Sequence, residues 1–199
     1  MTPEQRRAHL LDVALAVFAD KGYQDTSMSD IALAAGVNRS IVYDRFPAKR
    51  TLFLTVLQEQ HIAMLLAMGT TVSARTGLEE RLRAVFDGYL EFAERNPAGR
   101  RLLFDFSAED DPDIQVARRG ISESRTRVLT LLLGAELRAL GLDPGSPQAA
   151  LHMEILLTGL DGLAQWWDHH PDVSREELVG IALRVLWTGL GQEAAPPAA

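Results

Sequence analysis

The chain has 199 residues, 47% of them apolar, enough for one large core or for a small and a larger one. It contains no cysteine, which excludes disulfides, thiol nucleophiles and Cys-ligated zinc, and no uncharged apolar run of membrane-spanning length. Its net charge of −7 argues against a nucleic-acid partner, but the charge is unevenly spread: residues 1–60 carry seven Lys/Arg and seven Asp/Glu, and the remainder carries thirteen and twenty. A neutral N-terminal part can approach DNA while the acidic remainder is repelled by it. The N-terminal stretch MTPEQRRAHLLD is polar and lacks the apolar core of a signal peptide, so a cytoplasmic location is expected.

In chain order the apolar spacing is helical throughout. A first helix starts near Thr2, with Pro3 at its first position and Gln5 completing a capping box, and Gly22 closes it. Ser27 or Ser29 caps a short second helix with Ile31, Ala32 and Ala35 inward; Gly36 ends it, and Asn38 caps a third. Pro47 interrupts the chain. Longer helices are expected over about 48–72, 78–95, 97–107, 113–140, 147–169 and 174–189, punctuated by Thr76-Gly77, Asn96-Pro97, the Glu109 to Pro112 stretch, Gly141 with Asp143-Pro144-Gly145, and Pro171. The reading is an all-α fold of about nine helices. A small N-terminal domain (1–47) with a three-helix helix-turn-helix precedes a larger helical bundle (48–191) and a flexible tail (192–199).

Residues 26–50, TSMSDIALAAGVNRSIVYDRFPAKR, carry the functional signal. A helix-turn-helix needs small residues between its helices, a glycine at the turn and a second helix with a polar outer face. Ala32 and Ala35 are small, Gly36 tolerates positive φ, Val37 plugs the turn, and Ile41 or Val42 with Phe46 anchors the second helix. Asn38, Arg39, Ser40, Tyr43, Asp44 and Arg45 are left facing outward. Arg39 suits guanine and Asn38 suits adenine at the start of a recognition helix. The hydroxyls of Ser40 and Tyr43 suit phosphates, as do Thr26, Ser27 and Lys49 at helix starts. Asp44 needs a base amine or an arginine beside it.

Phe18, Gly22, Tyr23, Thr26, Ser27, Asp30, Ile31, Ala32, Ala35-Gly36-Val37, Tyr43, Phe46, Lys49 and Leu52 together resemble the tetracycline-repressor (TetR) family of transcriptional regulators. The resemblance covers roughly residues 10–57; beyond it only helix layout and length match. It implies a homodimer whose N-terminal domains each take an operator half-site, and an effector-binding C-terminal domain. The chain departs from the family pattern with Ser40 where glycine or proline is frequent, Ile41 where threonine is frequent, and Arg45 where an aromatic residue or histidine is frequent. These departures fall on the reading surface and bear on operator sequence.

The last two helices are apolar around most of their circumference, which calls for burial on two sides. Leu156, Leu160, Leu163 and Trp167 on one, with Leu178, Ile181, Ala182, Val185 and Leu186 on the other, are expected at an isologous dimer interface. A largely apolar effector pocket is expected around Met64, Met68, Phe86, Tyr89, Leu90, Phe104, Met153, Leu156 and Trp166, with His152 as an orienting group. Plain core packing accounts for the same apolar residues. Arg100-Arg101, Arg118-Arg119 and Arg125 with Arg127 read as solvated basic spots paired with acids such as Asp105, Glu109 and Glu123, or as sites for an anionic effector.

Enzymatic chemistry finds little support. Asp168, His169, His170 and Asp172 contain metal-ligating groups, but adjacent histidines at a helix end diverge and no spaced ligand set joins them. No phosphate loop or nucleophile elbow is present. The expectation is therefore a non-enzymatic, ligand-responsive DNA-binding regulator without cofactor or metal. It would act as a repressor binding a pseudo-palindromic operator as a dimer. An activator is the alternative, followed by a helical small-molecule-binding protein or enzyme that does not bind DNA.

Overall fold

A computed structural model of the protein describes residues 2–70, 72, 77–104 and 111–193, with side chains to residue 185. The described residues form ten helices and no strand: α1 (Pro3–Lys21), α2 (Met28–Ala34), α3 (Arg39–Arg45), α4 (Lys49–Thr70), α5 (Leu78–Arg95), α6 (Pro97–Phe104), α7 (Pro112–Leu132), α8 (Gly134–Ala139), α9 (Pro147–Trp167) and α10 (Arg175–Glu193). The expected break at Thr76, the acids Asp105 and Glu109, the side chain of Leu186 and all but the start of the expected tail lie outside the described residues. Two compact units result, one of Met1–Ala63 with Asn96–Ile121, the other of Met64–Arg95 with Ser122–Ala199.

The first unit is organised by local caps around a small aromatic core. Thr2 and Gln5 form the capping box of α1, which buries Leu10, Leu11, Ala14 and Phe18. Phe53 of α4 meets Phe18 and Tyr23 edge-on, with ring centroids 5.0 and 4.9 Å apart. Ser27 and Asp30 form a second capping box at α2. The end of α2 is a Schellman motif: the Val37 N–H donates to the Ala32 carbonyl (3.0 Å) and the Gly36 N–H to that of Leu33 (3.1 Å). This closure requires the positive φ of +66° at Gly36. α6 packs against α1. Its end is capped by Arg118, whose Nη1 donates to the carbonyls of Leu102 (2.6 Å) and Leu103 (3.0 Å).

The second unit is held by charges turned inward. Arg125 of α7 binds both carboxylate oxygens of Asp161 of α9 (2.6 and 2.8 Å), and the Tyr89 hydroxyl of α5 donates to the same carboxylate (2.7 Å). Glu154, also on α9, accepts from Ser122 (3.2 Å) and Thr126 (2.7 Å). Arg175 at the start of α10 reaches Asp87 (2.9 Å) and Glu94 (2.6 Å) of α5. Burial opposes its charge, but the hydrogen bond and charge of Asp87, joined by Glu94, outweigh that and raise its pKa. α5 passes very close to the end of α4: a Cβ on Gly88 would stand 2.3 Å from the Ala67 carbonyl oxygen.

The single helix expected over about 113–140 is two, α7 and α8, separated at Leu133 (φ −98°, ψ 13°). The guanidinium of Arg81 takes the Leu132 carbonyl and also pairs with Glu136 (2.6 Å). A side chain inserted at a backbone carbonyl is a usual cause of such a break, and Gly134 follows it directly. This accounts for the tenth helix.

Candidate nucleic-acid interface

α3 separates its side chains as the amphipathic reading requires. Val42 and Phe46 are buried, Ile41 is half-buried, and Asn38, Arg39, Ser40, Tyr43, Asp44 and Arg45 are all exposed. The buried pair fixes the helix against the first unit, so the outward set is presented as one surface. Asn38 occupies the N-cap position with extended backbone but makes no side-chain cap hydrogen bond. Its amide is therefore not consumed by the helix it precedes. Arg39 Nη2 donates to the Tyr43 hydroxyl at 2.9 Å, and the guanidinium lies 5.0 Å from the Tyr43 ring centroid.

The other residues expected at phosphates have structural duties as well. Thr26 is buried and its hydroxyl donates to the Gly22 carbonyl at 2.7 Å, so its side chain supports the α1–α2 turn from inside. Ser27 is exposed, and its hydroxyl accepts from the Asp30 N–H (3.1 Å) and donates to the Asp30 carboxylate (2.5 Å). The hydroxyl's bond to the carboxylate, then the Ser27 backbone N–H donating to the same carboxylate at 2.8 Å, then Lys21 at 3.1 Å, lower the Asp30 pKa to about 2. The Lys49 ammonium donates to the carbonyls of Tyr23 (2.7 Å) and Gln24 (3.2 Å) and sits 4.4 Å from the Tyr23 ring centroid. An ammonium has three N–H bonds, so Lys49 ties α4 to the α1–α2 turn with one to spare.

Of the residues expected at an effector pocket, Met64, Met68, Phe86, Tyr89, Leu90, Met153 and Leu156 are buried in the second unit. Phe104 belongs to the first unit. Trp166 is 45% exposed and stacks on His170 (3.7 Å, 8°). His152 contacts the Gln148 carbonyl of its own helix (2.7 Å). The basic spots differ from expectation. Arg100 and Arg125 are buried, and the carboxylate facing Arg125 is the distant Asp161 rather than a neighbour in sequence. Nothing local in the sequence marks that pair.

Of the residues expected at a dimer interface, Leu156, Leu160, Leu178 and Ala182 are buried within the chain itself, and Leu163 and Trp167 are half-buried. Trp167 donates its indole N–H to the Val173 carbonyl (2.8 Å). Ile181 and Val185 are exposed, together with Leu151, Ile155 and Trp166, which lie on another face of α9. At the end of α9, His169 and His170 contact the carbonyls of Gln165 and Trp166.

Three N-terminal helices, with a Schellman turn after the second and an outward-facing polar third, define a helix-turn-helix DNA-binding transcriptional regulator. Residues 10–56 match the model of the bacterial regulatory proteins, tetR family. The chain is similar to the HTH-type transcriptional activator FasR of Mycolicibacterium smegmatis, 26% identical over 187 residues, covering 94% of this chain and 84% of that one. Among solved structures, a putative transcriptional regulator from Pseudomonas aeruginosa PAO1 superposes with a TM-score of 0.81 at 20% identity, over 98% of this chain and 93% of that one. FadR from Bacillus subtilis in complex with stearoyl-CoA superposes with a TM-score of 0.73 at 17% identity, over 90% and 95%. Over residues 10–56 the chain carries the N-terminal domain of the tetR family of bacterial regulatory proteins, and over most of its length it is similar to a regulator of the helix-turn-helix type.

Proposed function

We propose that the protein is a cytoplasmic, ligand-responsive repressor that binds a pseudo-palindromic operator as a homodimer and carries out no catalysis. The observation that carries this reading is the two-sided α3: Val42 and Phe46 buried, Ile41 half-buried, and Asn38, Arg39, Ser40, Tyr43, Asp44 and Arg45 polar and exposed. DNA contact is assigned to residues 1–47 together with Lys49. Asn38 and Arg39 reach base edges, Ser40, Tyr43, Arg45, Ser27 and the Thr26 backbone face phosphates, and Asp44 filters against the wrong base. Genomic footprinting of the purified protein tests the reading. Protection of short pseudo-palindromes in promoters supports it, and salt-insensitive, sequence-blind binding would count against it.

A dimer supplies the second recognition helix that a pseudo-palindrome demands. The exposed apolar side chains Leu151, Ile155 and Trp166 of α9 with Ile181 and Val185 of α10 support a self-complementary face there. The effector is expected to be largely apolar and to enter the second unit near Met64, Met68, Phe86, Tyr89, Leu90, Met153 and Leu156. The stearoyl-CoA bound by the Bacillus subtilis FadR favours including acyl compounds in a ligand panel. Such a ligand releases DNA only if it binds the DNA-incompetent arrangement more tightly. A second reading, an activator, is favoured by the full-length similarity to an activator, FasR. Transcription from a footprinted promoter, with and without the protein, separates the two.

A further inference from the structure

We propose that Tyr43 is a positioning residue for Arg39, so that its hydroxyl sets base preference as well as meeting a phosphate. This rests on the reading that α3 lies in the major groove. The two residues stand one helical turn apart on the exposed side of α3. The ring holds the guanidinium twice: the hydroxyl accepts from Nη2 at 2.9 Å, and the ring face lies 5.0 Å from the guanidinium carbon. Together these contacts fix both the reach and the plane of the arginine fork.

That matters because a free arginine side chain carries about 2 kcal/mol of rotamer entropy, and a bidentate guanine contact needs its fork in one plane. Arginine has five N–H donors and the Tyr43 hydroxyl takes one, so the fork still has donors for a base. The hydroxyl accepts from Arg39 and keeps its own proton, which it can donate to a phosphate oxygen. Phosphate, hydroxyl and guanidinium then form one chain, and the backbone contact sets the aim of the base reader. Val42 and Phe46, buried beneath, hold the helix backbone that both side chains share.

The probe is the duplex most enriched by the wild-type protein from a randomised pool, together with its single-base variants. Arg39→Ala identifies the base pair that Arg39 reads, by the discrimination lost there. Tyr43→Phe keeps the ring and removes the hydroxyl. It is expected to lower discrimination at that same base pair by about fivefold to tenfold, within the range of one bidentate contact. Tyr43→Leu, which also removes the ring, is expected to lower it further. Arg39→Ala combined with Tyr43→Phe is expected to discriminate no worse there than Arg39→Ala alone.

Circular dichroism melting of each variant checks that the first unit stays folded. A Tyr43→Phe protein that binds every duplex equally more weakly, with its preference intact, makes Tyr43 a phosphate contact only and overturns the proposal. Preference lost at a different base pair also overturns it. An Arg39→Ala protein with unchanged affinity and preference removes α3 as the reader, and the proposal falls with that reading.

Discussion

The outer face of α3 and the core between α5, α7 and α9 use the same chemical groups in opposite ways. On α3, Arg39 and Tyr43 meet at the surface, where both remain available to a partner. In the second unit Arg125 and Tyr89 converge on Asp161, and the Arg125 side chain is only 3% exposed. An exposed pair contributes a few tenths of a kcal/mol to stability, whereas a buried pair becomes expensive once one partner is removed. On the proposed reading of α3, the difference separates residues kept for recognition from residues kept for the fold.

Removing Asp161 should have the largest effect. Asp161→Ala deprives a buried guanidinium of its carboxylate and should cost about 3 kcal/mol in urea unfolding. Arg39→Ala should change stability by less than about 0.5 kcal/mol while impairing DNA recognition. Replacing both members of the buried pair, as Arg125→Met with Asp161→Leu, should recover most of the loss. A loss below about 1 kcal/mol for Asp161→Ala would mean that the two regions are solvated alike, and the contrast would disappear.

Glycines sharpen the comparison at the next level. Gly88→Ala forces a methyl to within 2.3 Å of the Ala67 carbonyl oxygen, and helices that cannot separate freely should lose about 1–3 kcal/mol. Gly36→Ala meets nothing within 4 Å, but its backbone stands at φ +66°. The cost there is conformational, about 1–2 kcal/mol, and it bears on the turn that aims α3. Thermal unfolding should therefore rank Gly88→Ala as at least as damaging as Gly36→Ala, and operator binding should rank them in reverse. Lys49→Ala should follow, losing on the order of 1 kcal/mol from its carbonyl and ring contacts. It should weaken specific and random duplexes by the same factor, because it orders the α1–α2 turn and reads no base. A change in base preference in that variant would contradict the assignment.

The two regions were also unequally legible. The first is encoded by neighbours: Ser27 with Asp30, Gly36 after Ala35, and apolar Val42 and Phe46 four apart all act within one or two turns of the chain. Periodicity alone therefore separated the inner from the outer face of α3. The second depends on pairs remote in sequence. Arg125 and Asp161 are 36 residues apart, and Arg81 meets Leu132 and Glu136 more than 50 residues away. Each is invisible to periodicity, and the Arg81 contact is what divides the helix expected to be continuous. α9 was hard to read for a different reason. Its apolar residues surround the helix, so Leu156 and Leu160 look as available as Leu151 and Ile155. Packing against the rest of the unit buries the first pair and leaves the second exposed.

The smallest expected effect, and the one that isolates the first unit, is the titration of Asp30. Its pKa falls from 3.8 to about 2, first through the Ser27 side-chain hydrogen bond, then through the Ser27 backbone N–H and Lys21. A carboxylate with a depressed folded pKa stabilises the fold fully above its unfolded pKa, and that contribution is lost as pH falls through the folded value. The α2 capping box should therefore weaken as pH falls from about 4 towards about 2. Asp30→Asn removes the charge but can still accept from the Ser27 N–H. Its melting temperature should lie below wild type at neutral pH, and the gap should close across that acidic window as the wild-type carboxylate protonates. A gap that stays constant from pH 7 to pH 2 would show that the box acts through geometry alone. The cap would then owe nothing to charge, and the electrostatic contrast with Asp161, which faces the buried Arg125, would be the sharper for it.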